Sequence, residues 1–236
     1  SSSAASDVYK RQMIYRSAEI DSLECYSRRE LRNLGIKTLI DLRASSETGR
    51  QSPLQKEFNV VHIPLATGDM ENILKGIREE KIKSDTVYRM VEQMNRDLID
   101  KYTTEYRQIF DILLDKNSYP VVIHCSSGKG RTGIVSALVL AALGINEDII
   151  MEDYRLSNDY FNIPSASKDA YQLPARSQEA ITTLFSARED FLNAAKEEAE
   201  RRYGDIDSYL QKGIGLNKDE IKSCLLYTSD AADEED

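Results

Sequence analysis

One segment constrains the fold of this chain more than any other, and it runs from residue 119 to residue 144. Tyr119–His124 reads YPVVIH, an apolar and β-branched stretch that predicts a buried strand. CSSGKGRTG follows, and then an aliphatic stretch, Ile134–Leu143, that predicts a helix closed by Gly144. A strand that passes through a glycine-rich turn into a helix directs several backbone N–H groups at one point, where they can hold an anion. The segment therefore predicts an α/β fold with an anion-binding loop.

Other stretches extend this pattern along the chain. Gly35–Arg43 (GIKTLIDLR) and Asn59–Pro64 (NVVHIP) predict two more strands, separated by a polar loop over Ala44–Ser52. Between them and the third strand, apolar residues at three- and four-residue steps predict helix over Ser84–Asn117. The chain from Arg176 onward is charged and helical in pattern. Strands that alternate with helices indicate an α/β architecture with a central, mainly parallel sheet flanked by helices.

Both ends of the chain look foreign to the fold. Ser2–Gln12 reads SSAASDVYKRQ, and the reverse complement of one of its back-translations encodes CLLYTSDAAD, which is the sequence found from Cys224 to Asp233. Two tails encoded by opposite strands of one DNA segment resemble a sequencing-library adapter rather than a protein motif. We therefore expect residues 1–12 and 224–236 to be non-native and residues 13–223 to form a single domain.

Composition narrows the class of protein. A net charge of −9 argues against a broad nucleic-acid-binding face, and no apolar stretch approaches the ~20 residues needed to span a bilayer. Outside the tails, Cys25 and Cys125 are too distant to suggest a disulfide framework, so we expect a reducing, cytoplasmic location, with secretion left open. His62 and His124 show no zinc-ligand spacing, so we expect no metal and no cofactor.

The loop itself carries reactive chemistry. Cys125 opens it, and the helix N-terminus together with the guanidinium of Arg131 is expected to stabilise the cysteine thiolate, the nucleophilic form. Arg131 offers a planar fork that binds two oxygens of a phosphate at once. That fork gains strength as charge spreads over the equatorial oxygens of a transferring phosphoryl group. The two residues predict a site that binds a phosphoester and attacks its phosphorus.

This loop resembles that of the protein tyrosine phosphatase superfamily, in which a cysteine, five residues, an arginine and a serine or threonine follow in order. The chain has no tryptophan and so cannot carry the Trp-Pro-Asp loop of the tyrosine-specific branch. The wider pattern is similar to the bacterial tyrosine and lipid phosphatase family, and the matching pieces are Tyr15–Ser17, Leu34–Thr38, Ile40–Arg43, His62–Leu65, Asp153–Asn158, Tyr203–Asp205 and Gly213–Leu216. The resemblance implies a tyrosine-phosphatase-like α/β fold and metal-independent hydrolysis through a phosphocysteine. Members of the family carry a further strand ahead of the Tyr-Arg-Ser piece, where this chain has the adapter sequence, so we expect one or two edge strands of the sheet to be missing.

The resemblance also implies roles for the remaining loop residues. His124 would orient the loop, and Thr132 would donate a hydrogen bond to the cysteine sulfur and ease its departure. Lys129 would add a cation at the mouth of the pocket. The backbone that binds the substrate phosphate would be supplied by the residues between the cysteine and the arginine, namely Ser126, Ser127, Gly128, Lys129 and Gly130.

The proton donor for the leaving group is less defined by the sequence. Many members of the family carry an aspartate in the loop where this chain has Gly130. Asp69 is our first candidate, because it lies in the loop after Pro64, which corresponds to the acid loop across the superfamily. Glu71 and Asp85 are the alternatives.

Substrate and function class stay open in part. We expect a phosphorylated protein as partner, with phosphotyrosine preferred and dual specificity allowed, and a phosphoinositide as the alternative. Lys129 favours a highly charged head group, whereas Ser126 stands where inositol-directed members carry a second lysine. A sulfurtransferase or arsenate reductase fits the loop less well, and a non-catalytic phosphate-binding module is disfavoured because Cys125, Arg131 and Thr132 are all present.

Two further segments have alternative interpretations. By resemblance, the helical region Ser84–Asn117 could form a lid, with Met90 and Met94 as an adaptable apolar cover, although apolar stripes on helices more often pack in a core. Asp41 and Arg43 follow a buried strand at its carboxyl end, where they shape a pocket or, as we prefer, form a structural ion pair.

Overall fold

The strands of the fold form one parallel sheet. The computed structural model describes residues 13–20, 25–48, 53–160 and 170–222. Its sheet has the order β1-β4-β2-β3, and every neighbouring pair is parallel. The strands are β1 (Ile14–Ser17), β2 (Thr38–Asp41), β3 (Asn59–His62) and β4 (Val121–His124). The expected adapter-derived tails, 1–12 and 224–236, lie outside the described residues.

The sequence predicted three of these strands and the parallel sheet, both of which are confirmed. It did not predict β1, which is only four residues long, half-buried and partly polar, so its apolar signal is weak. β1 lies at one edge of the sheet, where it pairs with β4 from Ile14 opposite Val121 to Ser17 opposite His124. The expectation that one or two N-terminal edge strands are missing stays a prediction.

Helices cover both faces of the sheet. They are α1 (Cys25–Asn33), α2 (Met70–Arg78), α3 (Ser84–Lys101), α4 (Thr103–Leu114), α5 (Gly130–Ala142), α6 (Glu147–Tyr160), α7 (Ala175–Phe185), α8 (Glu189–Tyr203) and the short α9 (Ile206–Ser208), which a π-turn continues over Tyr209–Gly213. Within the described ranges, no helix is both long enough and apolar enough to cross a membrane.

The helical region predicted over Ser84–Asn117 is two helices rather than one. α3 ends at Lys101 and α4 begins at Thr103, because Tyr102 has a φ of −119° that breaks the helical path. The hydroxyl of Tyr102 donates to the carbonyl of Ala66 and accepts from the backbone N–H of Ala66, each at 3.0 Å. The break therefore fastens this region to the loop that follows β3.

Alternating residues of the central strands feed two apolar layers. Leu39 and Val122 point to the side of α1 and pack in a cluster with Leu54 and Phe58. Ile40 and Ile123 point to the other side, into the larger cluster built with α4, α5 and α8. Since β2 and β4 are buried on both faces, they read as continuous apolar runs rather than as alternating ones. The carboxyl ends of β1, β2 and β4 consequently meet at one edge, and the loop after β4 begins there.

Candidate active site

The loop between β4 and α5 is held in the shape that an anion cradle requires. α5 begins at Gly130, four residues earlier than the sequence predicted, so Arg131 and Thr132 lie in its first turn. Gly128 has a φ of +70°, and a Cβ built on it would come within 2.7 Å of the backbone nitrogen of Ala18. Only glycine combines that conformation with such close approach. The loop therefore leads into a helix N-terminus, as predicted, and its role as an anion cradle stays a prediction.

β1 and α6 support the loop from outside through Arg16. This guanidinium donates to the Asp153 carboxylate at 2.6 Å and to the Ser157 hydroxyl at 2.6 Å. Its Nη2 also donates to the carbonyl of Gly128 at 3.1 Å. Two of the pieces that carried the family resemblance, Tyr15–Ser17 and Asp153–Asn158, thus meet at the loop, although 137 residues separate Arg16 from Asp153.

The nucleophile candidate lies at the bottom of the loop. Cys125 has 1% of its surface exposed, and the guanidinium of Arg131 lies close enough to interact with its side chain. His124 is equally buried, and its carbonyl accepts from the backbone N–H of Leu42 at 2.9 Å, which ties the loop to β2. Cys125 and Arg131 are therefore brought together, while their catalytic roles stay predictions.

Thr132 is fully buried in the first turn of α5. Within the described residues its hydroxyl has no hydrogen-bond partner, so the bond to the cysteine sulfur that the resemblance implies is not formed here. A buried hydroxyl without a partner costs about 1–3 kcal/mol. Thr132 therefore keeps an unused hydroxyl donor in the first turn of α5. Its proposed role in the departure of the sulfur stays a prediction.

An acidic residue that sequence reasoning missed binds the arginine of the site. Glu47, in the turn after β2, accepts from Arg131 Nη1 at 2.5 Å and from Nη2 at 2.8 Å. Its carboxylate also accepts from the hydroxyl of Ser126 at 2.6 Å and from the backbone N–H of Ala44 at 2.8 Å. Burial raises the pKa of Glu47, but the bonds from Arg131 and Ser126 outweigh it and lower the pKa to about 2. Glu47 is therefore ionised at every physiological pH.

Glu47 binds only one end of the guanidinium. Arg131 Nη1 also faces the carbonyls of Leu65 at 3.3 Å and Leu42 at 3.5 Å, and Nη2 lies 3.3 Å from the Ser126 hydroxyl. The carboxylate occupies the Nη1–Nη2 end, so the Nε–Nη2 edge, which carries two parallel N–H donors, is not used by it. Planar bidentate recognition of a phosphate requires such an edge.

Asp41 and Arg43 form the structural ion pair that we preferred. Arg43 Nη2 donates to Asp41 at 2.6 Å, both side chains are buried, and Arg43 Nη1 reaches Glu19 at 3.0 Å. Burial raises the pKa of Asp41, but hydrogen bonds from Arg43 and the charge of His124 leave it below its ordinary value. The backbone N–H of Glu19 in turn donates to the carbonyl of Ser126 at 3.2 Å, so this pair braces the outer side of the loop.

A cavity of about 80 Å³ opens above the loop. Its walls come from the loop, α3, α6, α7 and the residues around the start of α2, and the lining residues include Ser127, Lys129, Arg131, Val91, Met94, Tyr154, Leu184 and Phe185. Met94 lines the cavity, whereas Met90 packs against a core cluster. Val87, Leu98 and Ile99 of the same helix are buried in core clusters, as the packing interpretation suggested, and the role of this region as a lid stays a prediction.

Lys129 is buried in this cavity rather than placed at its mouth. Only 4% of its surface is exposed, and its Nζ lies 5.7 Å from the ring centre of Phe185 on α7. Burial disfavours the charged ammonium, and the nearby Cys125 opposes this only in part, so the pKa of Lys129 falls to about 7. The side chain can therefore gain and lose a proton at neutral pH.

The three candidate acids lie differently. Asp69 is the N-cap of α2, where its oxygens accept from the backbone N–H of Asn72 at 3.0 Å and from its side-chain amide at 2.5 Å. Thr67 and Met70 line the cavity, but among the described lining residues Asp69 does not. Glu71 and Asp85 lie exposed in the first turns of α2 and α3. None of the three carboxylates is among the described residues that line the cavity, and the role of Asp69 as the acid stays a prediction.

Sequence reasoning missed Glu47, Arg16 and Phe185 as site residues. An acidic residue four positions after Arg43, at the carboxyl end of a parallel strand, was a usable signal for Glu47. For Arg16 and Asp153, the sequence showed only that each is a charged residue in a segment that matches the family. It gave no reason to pair them. Phe185 carried no signal, because one aromatic residue at a helix end is ordinary.

Comparison with known proteins agrees with this geometry. A family model described as "Tyrosine phosphatase family" matches residues 2–225. The chain is 29% identical over 241 residues to "Triple specificity protein phosphatase PtpB" of Mycobacterium tuberculosis, covering 84% of each chain. It is 25% identical over 218 residues to "Tyrosine-protein phosphatase" of Nostoc commune, covering 88% of this chain and 71% of the relative.

Proposed function

Because this chain belongs to the tyrosine phosphatase family, and is thus a phosphatase of the cysteine-dependent kind, we propose that it works through a phosphocysteine intermediate on Cys125. The observation that carries the proposal is the meeting of Cys125 and Arg131 in one glycine-shaped loop at the N-terminus of α5. Neither residue alone would be specific, but a buried thiol facing both a guanidinium and a row of amides suits attack on a bound phosphate.

The binding step follows from the donors around the cysteine. The phosphate oxygens receive the loop N–H groups, and two of them take the Nε–Nη2 edge of Arg131, while Glu47 holds the opposite end. Glu47 thus fixes the plane of the guanidinium before substrate arrives. Preorganised donors of this kind stabilise charge that develops in the transition state without reorganising as it forms.

The chemical step then has two halves. The thiolate of Cys125 attacks phosphorus and the phosphorus–oxygen bond to the leaving group breaks, with the leaving oxygen taking a proton. Water next attacks the phosphocysteine, giving up a proton, and inorganic phosphate and the thiolate are released. Thr132, which has a buried hydroxyl with no partner among the described residues, would stabilise the departing thiolate. His124 holds the start of the loop against β2.

We propose a protein phosphotyrosine as the preferred substrate, with dual specificity. The cavity walls include Val91, Met94 and Phe185, an apolar surface that suits an aromatic ring above the phosphate. The mycobacterial relative is named a triple specificity protein phosphatase, which favours a broad range of phosphorylated residues. A cytoplasmic location stays part of this proposal.

A phosphoinositide is the second candidate, and Lys129 favours it. A lysine in the cavity beside Arg131 adds cationic character next to the phosphate, which suits a head group with several phosphates. Ser126 argues against a phosphoinositide. Its hydroxyl donates to the carboxylate of Glu47, so a negative charge lies beside the position where inositol-directed members carry a second lysine. We therefore rank phosphotyrosine first.

The test is phosphate release from a phosphotyrosyl peptide by the chain and by its Cys125→Ser variant, with a chelator present. We expect turnover by the parent and none by Cys125→Ser, and acid-quenched samples of the parent should show one phosphate on the peptide that contains Cys125. The matched control is Cys25→Ser, which removes the other thiol of residues 13–223 and leaves the loop sequence intact. Turnover by Cys125→Ser at the parental rate would exclude the proposed mechanism.

A further inference from the structure

The cavity above the loop offers few groups that could protonate a leaving oxygen. Among its described lining residues there is no aspartate and no glutamate. Glu47 reaches the site, but with a pKa of about 2 it carries no proton to give at neutral pH. Asp69 is engaged as the N-cap of α2, and Gly130 has no side chain. The proton must come from a group of another type.

Among the described lining residues, two side chains besides Arg131 can carry such a proton. Tyr154 of α6 is buried, which raises the pKa of its phenol far above neutrality and makes it a weak acid. Lys129 is buried as well, but burial acts on an ammonium in the opposite direction and brings its pKa to about 7. An acid works best when its pKa lies near the operating pH.

The groups around Lys129 come from the loop, from α6 and from α7. Arg131 and Cys125 share the loop with it, Tyr154 faces the cavity from α6, and the ring of Phe185 covers the ammonium from α7. The carboxylate of Glu47 is bonded to Arg131 and Ser126. When a phosphate dianion binds, its charge stabilises the ammonium, so the acid is protonated when it is needed.

We propose that Lys129 is the general acid of this phosphatase, in place of an aspartate. The proposal rests on the proposed phosphocysteine mechanism. As the phosphorus–oxygen bond breaks, the leaving oxygen takes a proton from the Lys129 ammonium, which becomes a neutral amine. In the second half the amine accepts a proton from the water that attacks phosphorus, and the ammonium is restored. No other reactant is required.

Two variants separate proton transfer from charge. Lys129→Met removes both the charge and the proton at similar length, whereas Lys129→Arg keeps the charge but holds its proton too tightly to donate it. Each is assayed on a phosphotyrosyl peptide, whose phenol has a pKa of about 10, and on a nitrophenyl phosphate, whose phenolate leaves without help. Lys81→Met, at an exposed lysine paired with Glu79, is the control.

General acid catalysis contributes about 10²–10⁴-fold. We therefore expect both Lys129 variants to lose about 10²-fold or more in kcat on the phosphotyrosyl peptide and less than about 10-fold on the nitrophenyl ester. The alkaline limb of kcat/KM near neutral pH should disappear in both variants. Asp69→Asn, assayed alongside, should keep the parental ratio between the two substrates.

Other outcomes overturn the inference and leave the mechanism intact. Equal losses on both substrates, or activity restored by Lys129→Arg, would make Lys129 a binding cation only. A selective loss on the peptide in Asp69→Asn would return the role of acid to Asp69. Failure of the phosphocysteine mechanism itself would show instead as activity in Cys125→Ser, which none of the Lys129 variants can imitate.

Discussion

The contact between Glu47 and Arg131 leads to a prediction that distinguishes two roles of the carboxylate. It either orients the guanidinium for phosphate or occupies the place of phosphate. Glu47→Gln keeps the shape of the side chain but removes its charge. Because the carboxylate holds one end of the guanidinium and leaves the Nε–Nη2 edge to phosphate, we expect the variant to bind and turn over substrate less well. If the carboxylate were instead a substitute for phosphate, the variant would work better.

The size of the effect follows from the electrostatics of the pair. A pKa lowered from 4.5 to about 2 corresponds to at most about 3 kcal/mol of interaction. The side chain of Glu47 is 32% exposed and that of Arg131 8%, so solvent screening reduces this to about 1–2 kcal/mol. If the loss falls on the transition state, kcat/KM for a phosphotyrosyl peptide should drop by about 5–30-fold.

The pH dependence of unfolding gives an independent measurement. The pKa of Glu47 is lower in the folded protein than in the unfolded chain, so its stabilisation is complete above the unfolded value and is lost as pH falls towards about 2. In urea titrations, the difference between parent and Glu47→Gln should be constant at neutral pH and shrink between about pH 4.5 and about pH 2. Glu189→Gln, at an exposed pair with Arg155, is the control. A Glu47→Gln enzyme with raised kcat/KM would refute the alignment argument.

Two more predictions follow from the loop. Gly128→Ala should lose activity by about 10²-fold or fail to fold. The reason is that its Cβ would lie 2.7 Å from the backbone nitrogen of Ala18, at a residue with a φ of +70°. Normal kinetics in a folded variant would contradict the close approach. Hydrogen peroxide should inactivate the enzyme reversibly at Cys125, since the thiolate is the form that oxidises. A thiol reductant should restore activity, and inorganic phosphate should slow its loss. Full activity after peroxide treatment would count against a thiolate nucleophile.

The sequence by itself determined the parts of this protein whose interactions are local. A strand, a glycine-rich turn and a helix are each specified by neighbouring residues, so the loop of Cys125 and Arg131 and the parallel sheet that carries it could be predicted. The ion pair of Asp41 and Arg43 could be predicted for the same reason, because its partners are two positions apart. The sequence predicted that α5 starts at Ile134, whereas it starts at Gly130. The prediction failed because Gly130 and Gly133 disfavour helix in a sequence pattern, although both lie in the helix.

Only the tertiary structure decided which distant groups complete the site. Glu47 reaches Arg131 across 84 residues, and Arg16 reaches Asp153 across 137, so no local pattern could join them. The place of Asp69 in the chain made it a candidate acid, but that its oxygens cap α2 is visible only in the structure. The pKa of Lys129 depends on burial by α7 and its neighbours, and burial is a property of the packed chain. Charge and residue type can be read from sequence, whereas desolvation, which sets the chemistry of Lys129, requires the fold.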